Sequence, residues 1–159
     1  MLVVSDATPL HYLVLIGEVD LLQNLYGRVI IPQAVVEELS VAKAPVQVRD
    51  WIASLPGWVT IGRARPLASL PFEFLGPGER QAIALAQDSG GGILLTDDLQ
   101  ARNAAESVNI QVVPTIRILS TASDLSLVDF KDVLRRLLQM NFRVSQEVID
   151  QIVASRAKL

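Results

Sequence analysis

Cysteine is missing from this chain of 159 residues, which excludes disulfides, zinc–thiolate sites and thiol catalysis. Histidine is nearly missing too. His11 is the only one, so a two-histidine metal site cannot form within one chain, and a Ser-His-Asp triad would have to use it. Positive charge is not in excess: 14 Lys and Arg stand against 17 Asp and Glu, for a net charge of −3. That balance leaves no basic nucleic-acid-binding arm and no polybasic membrane patch. The apolar run Tyr12 to Ile16 is far shorter than the roughly 20 residues a bilayer span requires. The N-terminus has no basic segment and carries Asp6 early, so no signal peptide is expected and a cytoplasmic location is the default.

Half of the residues are hydrophobic, enough for the core of one domain spanning residues 1–159. Short apolar runs at Leu2–Ser5, Val29–Ile31, Trp58–Ile61, Ile93–Thr96 and Gln111–Val113 are bounded by turn residues, as buried parallel strands are. Helical stretches fill the gaps. Pro32, Pro45 and Pro77 stand where first-turn prolines start helices, and Gly90-Gly91-Gly92 stops a helix before the fourth strand. Gly62 to Gly78 has little periodicity and reads as a surface loop. After Val113 the pattern is helical throughout, over about Thr115–Ser123, Ser126–Met140 and Ser145–Ser155, with Ser126 and Ser145 as N-caps. Alternating strands and helices predict an α/β domain with a mostly parallel sheet and a helical C-terminus from about residue 115.

The acids carry the chemistry. Asp6 ends the first strand, and Asp97-Asp98 follow the fourth in "GILLTDD". In an open parallel sheet, ligands bind outside the carboxyl ends of the strands. Each of these acids could equally be a helix cap. In "IPQAVVEELS" a helix starting at Pro32 puts Val35, Val36 and Leu39 on one face; Glu37 points nearly opposite, while Glu38 sits at the border and can reach inward. In "GPGERQAIALA" the stripe of Ala82, Ile83 and Ala86 also holds Glu79. Asp6, Glu38, Glu79 and Asp98 could therefore meet at one edge, with Asp97 adjacent. Gathered carboxylates repel, and a cation relieves them; with oxygen donors alone it should be Mg2+ or Mn2+. Such ions suit phosphodiester hydrolysis.

In the order "VVSDATPL", "VIIPQAVVEEL", "LGPGERQAIALA" and "ILLTDD", with "FRVSQEVIDQIV" at the C-terminus, the chain resembles the PIN-domain nucleases, in particular the small prokaryotic branch related to toxin ribonucleases. The resemblance implies a three-layer sandwich with strand order 3-2-1-4-5, which sets Asp6 and Asp98 face to face. It implies a metal-dependent endoribonuclease acting on single-stranded RNA. Asp6, Glu38, Glu79 and Asp98 take the catalytic positions, and the metal is held by Asp6, Glu79, Asp97 and Asp98. A hydroxyl residue often follows the first aspartate in this family; here Ala7 does, and Thr8 comes next as a substrate-side hydroxyl. Arg102, one turn beyond Asp98, is the candidate for contact with a substrate phosphate, set against the commoner fate of an arginine that is solvated or ion-paired. The partners expected are RNA, an antitoxin protein and a second copy in a homodimer, with no membrane. The alternative is a catalytically weak or inactive binding module on the same scaffold. Other strand-end-acid families fit less well. A phosphotransfer receiver wants a lysine after the fifth strand, where Val113-Pro114-Thr115 has none. A haloacid-dehalogenase-type phosphatase wants an aspartate where Thr8 stands. His11, Trp51 and Trp58 are read as packing residues, and Arg135-Arg136 as a solvated helix face.

Overall fold

The computed structural model describes residues 2–157. Its strands are β1 (Val3–Ser5), β2 (Val29–Pro32), β3 (Val59–Gly62), β4 (Ile93–Leu95) and β5 (Gln111–Val113). Its helices are α1 (Ala7–Leu15), α2 (Leu21–Tyr26), α3 (Gln33–Leu39), α4 (Val46–Ala53), α5 (Pro77–Asp88), α6 (Leu99–Ser107), α7 (Thr115–Asp124), α8 (Phe130–Leu138) and α9 (Gln146–Ala157). All five strands run parallel, as their pattern predicts, in the order β3-β2-β1-β4-β5 that the family resemblance implies. Among the described residues no helix is long and apolar enough to cross a membrane.

β1 lies at the centre, and its side chains alternate between two cores, as strand geometry demands. Val3 packs with Leu10 and Leu13 of α1, Val35 of α3 and Ile118 and Leu119 of α7. Val4 and Leu94 face the other way, onto the alanines of α5 and α6. Ala82, Ala86, Ala101, Ala104 and Ala105 are small enough to bring those two helices close to the sheet. Each large side chain buried in this way, such as Leu10, Leu94 or Leu95 at 0% exposure, contributes roughly 1.5–3 kcal/mol relative to solvent exposure.

Parallel pairing sets β1 against β4 with Val3 opposite Ile93, Val4 opposite Leu94 and Ser5 opposite Leu95. The Asp6 amide extends the ladder to the Leu95 carbonyl at 2.9 Å. The strand order therefore reverses between β1 and β4, and the residues that follow both strands are delivered to one crevice.

Two expectations need correcting. Ser126 is not an N-cap. At φ 61° it closes the end of α7, with its N–H bonded to the Ser123 carbonyl and the Leu127 N–H to Ala122. α8 begins only at Phe130, with Asp129 at the cap position. Nor is Gly62–Gly78 loop throughout: Gly62 ends β3, Pro77 starts α5, and the surface stretch between them contains a 3-10 turn at Leu67–Ser69, buries Leu70 and Leu75, and is pinned by the Arg80 guanidinium, which donates to the Leu67 and Leu70 carbonyls at 2.9 and 2.6 Å. Ser145 does cap α9, accepting from the Val148 N–H at 3.2 Å.

The β1–β4 approach leaves no room beside Gly92. A methyl group there would lie 2.5 Å from the Leu2 carbonyl oxygen, which accepts from the Ile93 N–H at 2.8 Å. Gly92→Ala is expected to lower the melting temperature, at a cost of about 1–3 kcal/mol, the range for overpacking. Gly57→Ala, with nothing within 4 Å of the new methyl, serves as the control. Equal melting of the two variants would contradict this packing.

Candidate active site

Asp6 follows β1 directly and caps α1, its Oδ1 accepting from the Ala7 N–H at 2.7 Å. Its other oxygen, Oδ2, accepts from the Thr96 hydroxyl of the β4 terminus at 2.9 Å. Only 2% of Asp6 is exposed. Burial, then the charges of Glu79 and Glu38, push its pKa from 3.8 to about 7, against the lowering effect of the two hydrogen bonds.

Glu38 and Glu79 reach this carboxylate from α3 and α5. Gly78 lies at this convergence: a methyl group there would lie 3.1 Å from Val35 Cγ2, 3.7 Å from Glu38 Oε2 and 3.8 Å from Asp6 Oδ1. Glu79 is half-buried at the base of α5, on the stripe that buries Ala82, Ile83 and Ala86, and folds back over Gly76. Glu38 is open to solvent, yet partial desolvation and the charge of Glu79 raise its pKa. Glu37, one residue earlier, instead accepts from Gln33 across one helical turn at 3.5 Å. Both glutamates are exposed and both line the cavity that reaches Glu79, but the charge that acts on Asp6 is that of Glu38.

The two aspartates after β4 are used differently. Asp98 caps α6, its Oδ2 accepting from the Ala101 N–H at 2.8 Å, while its own N–H donates to Thr96 Oγ1 at 3.2 Å. Thr96 therefore stands between Asp6 and Asp98, and the acids that raise the Asp6 pKa are Glu79 and Glu38. The amide of Ala101 at the start of α6 takes one oxygen of the Asp98 carboxylate. Asp97 caps α7 from a distance. α7 starts after Pro114, which has no capping oxygen, so the Thr115 N–H and hydroxyl donate to Asp97 Oδ1 and Oδ2 at 2.8 and 2.6 Å. Burial raises the Asp97 pKa, and the two Thr115 bonds oppose the rise.

A groove made of three adjoining cavities borders Glu38, Glu79, Asp97 and Asp98. One cavity is lined by Thr8, Tyr12, Asp97 and Asp98, and a second by Thr8, Tyr12, His11 and Glu38. A third shares Glu38 and Val41 with the second and reaches Glu79. Thr8, the hydroxyl nearest Asp6 in sequence after Ala7, forms the wall common to the first two. His11 lies edge-on to Tyr12 at 4.8 Å, its pKa lowered by burial. Arg102 is paired with Glu106 at 3.0 Å along the exposed face of α6. Trp51 and Trp58 pack together with ring centroids 6.3 Å apart.

Thr96 was not among the sequence candidates; its signal was its place just ahead of the acidic pair in "LLTDD". Arg136 was read as solvated, and the structure corrects this. The side chain reaches back to Glu18 at 2.7 Å and to the Ile16 carbonyl, locking α8 onto the end of α1. Only Arg135 lies on the exposed face.

The donor set around Asp6 suits a hard divalent cation: Asp6, Glu38 and Glu79 offer only carboxylate oxygens, and among the described residues no lysine or arginine forms a salt bridge with any of them. As the side chains stand, no group of three His, Cys, Asp or Glu residues among the described residues is spaced to surround an ion.

Fold and site define the class: a doubly wound α/β domain that gathers acids at the reversal of its strand order. The sequence matches a family model, DUF3368, described as a PIN domain, over residues 2–158, and the chain belongs to this PIN-domain family, a nuclease-type fold. A PilT N-terminus domain protein from the hyperthermophilic archaeon Sulfolobus solfataricus P2 shares the fold, with a TM-score of 0.51 at 15% identity, covering 91% of this chain and 100% of that one. No functionally curated protein matches the chain.

The raised Asp6 pKa has a defined sign. The native state holds this proton to about pH 7 and the unfolded chain only to 3.8, so stability falls as pH rises between those values and the full cost is present above pH 7. That cost is roughly 4 kcal/mol at its upper end. In EDTA, Asp6→Asn is expected to be more stable than the wild type at pH 8 by about 2 kcal/mol, with the gain fading toward pH 5. Urea unfolding at the two pH values measures this. An Asp6→Asn protein less stable than the wild type at pH 8 would show that Asp6 acts only as a cap.

Proposed function

We propose that the protein is a divalent-metal-dependent endoribonuclease that hydrolyses single-stranded RNA. The observation that carries this is the buried Asp6 carboxylate, destabilised by two further acids and, among the described residues, without an ion-pair partner. Membership of the PIN-domain family supports the same reading. Asp6, Glu79 and Asp98 would hold Mg2+ or Mn2+, which when bound supplies Lewis-acid activation of the phosphodiester and of water. Thr96 fixes the Asp6 carboxylate in orientation. Asp97 braces the turn through Thr115. Glu38, exposed and with a raised pKa, is placed to take the proton of the attacking water at an Oε atom. Thr8 presents its hydroxyl in the groove where the strand would lie. Arg102, tied to Glu106, contributes to phosphate binding only if that pair opens.

A toxin-like role under an antitoxin partner is part of this proposal. Val41, Phe74 and Leu99 are 51%, 66% and 66% exposed, and each lies within a few residues of a site acid. Val41 lines two of the cavities, and exposed apolar side chains of this kind suit a protein that covers them.

With manganese the purified protein should cut single-stranded RNA, and EDTA should stop it. Asp6→Asn and Glu79→Gln should each lose about 100-fold or more in kcat, the scale of removing one preorganised charged contact. Glu37→Gln should stay active. Cleavage indifferent to chelator contradicts the reading, and RNA bound in the presence of manganese without being cut favours the non-catalytic binding module.

A further inference from the structure

An RNA backbone cannot lie across five acids unless cations elsewhere in the groove hold its phosphates. Most arginines of this chain are committed. Arg65, Arg102, Arg135, Arg136 and Arg156 are in ion pairs. Arg80 and Arg49 donate to backbone carbonyls. Lys43 and Arg143 differ: both are exposed, both are without an ion pair or side-chain hydrogen bond among the described residues, and both line the groove. Arg143 lies in the cavity of Asp97 and Asp98, and Lys43 in the cavity of His11 and Glu38. Thr8 and Tyr12 form the wall shared by the two cavities.

Resting on the ribonuclease reading, we infer that Lys43 and Arg143 are the two phosphate contacts of the substrate, one on each side of Thr8, and that they set the path of a single strand over the acids. A strand laid along this line places one phosphate at each cation and the phosphodiester between them over Thr8, beside Asp6. The partly exposed rings of His11 and Tyr12 border the same stretch, where an unpaired base can stack. Arg143 belongs to the segment between α8 and α9, which the Tyr12–Phe142 ring contact at 4.9 Å holds against α1. The C-terminal helices thereby complete the groove.

Binding of a short fluorescent oligouridylate, measured by anisotropy over a salt series in the Asp6→Asn background with magnesium, reads affinity without turnover. Lys43→Gln and Arg143→Gln should each reduce the slope of log K against log salt by about 0.7, the value for one lost phosphate contact on a single strand, and the double variant by about twice that. Arg117→Gln, on the exposed side of α7 and outside the groove, should leave the slope unchanged. Unchanged slopes in both groove variants would overturn the path. Manganese-driven cleavage then separates this inference from the one it rests on. In an otherwise wild-type protein the double variant should raise KM at least tenfold and largely retain kcat. Cleavage with unchanged KM overturns the path and leaves the ribonuclease standing. An oligouridylate neither bound nor cut by the wild type overturns both.

Discussion

The hydrogen bond from the Thr96 hydroxyl to Asp6 Oδ2 joins the ends of two adjacent parallel strands, and the candidate site depends on it. β1 and β4 are held in register by backbone bonds, but register alone leaves a carboxylate free to rotate. Thr96 and the Ala7 amide hold both Asp6 oxygens inside an almost fully buried pocket. The same hydroxyl accepts from the Asp98 amide and so fixes the turn into α6. One threonine thus sets the orientation of the buried acid and the start of the helix beside it. The arrangement costs stability, because two hydrogen bonds do not offset burial beside Glu79 and Glu38.

The five acids divide into two kinds of work. Asp97 and Asp98 satisfy the free amides at the starts of α7 and α6, and so hold the crevice open from the β4 side. Asp6, Glu38 and Glu79 come from three different helix starts or faces and satisfy little of one another's charge. A fold built for stability alone would not bring them together; a site that takes up a cation gains affinity from the repulsion it relieves. Gly78 lies at this convergence: a side chain there would press on Val35 at 3.1 Å while only touching Glu38 and Asp6.

Much of this was legible in the sequence, for identifiable reasons. The strands are short runs with turn residues on both sides; Gln111–Val113 has the expected bounds, and the ends of the other four differ from the expected ones by no more than one residue. The 3.6-residue period places Glu79 on the buried stripe of α5, because that face is decided locally; it does not set Glu37 apart from Glu38, since both line the cavity that reaches Glu79. Features set by distant partners were not legible. The capping of α7 by Asp97 spans 18 residues in sequence and shows only once β4 and β5 are paired. Arg136 reads as a surface arginine until α8 is packed on Glu18. Ser126 has the composition of an N-cap, but the carbonyls at the end of α7 take its N–H first. Arg102 has the right position for phosphate, yet Glu106 lies one turn further along the same helix and neutralises it.

The account turns on the charge state of one buried carboxyl, and carbon-detected NMR of Asp6 across a pH series measures it directly. In EDTA the Asp6 carboxyl should titrate with a midpoint near 7, and magnesium should move that midpoint down, because a bound cation favours the ionised form. A midpoint at the ordinary 3.8, unmoved by magnesium, would mean that Glu38 and Glu79 do not act on Asp6 and that the crevice is no cation site.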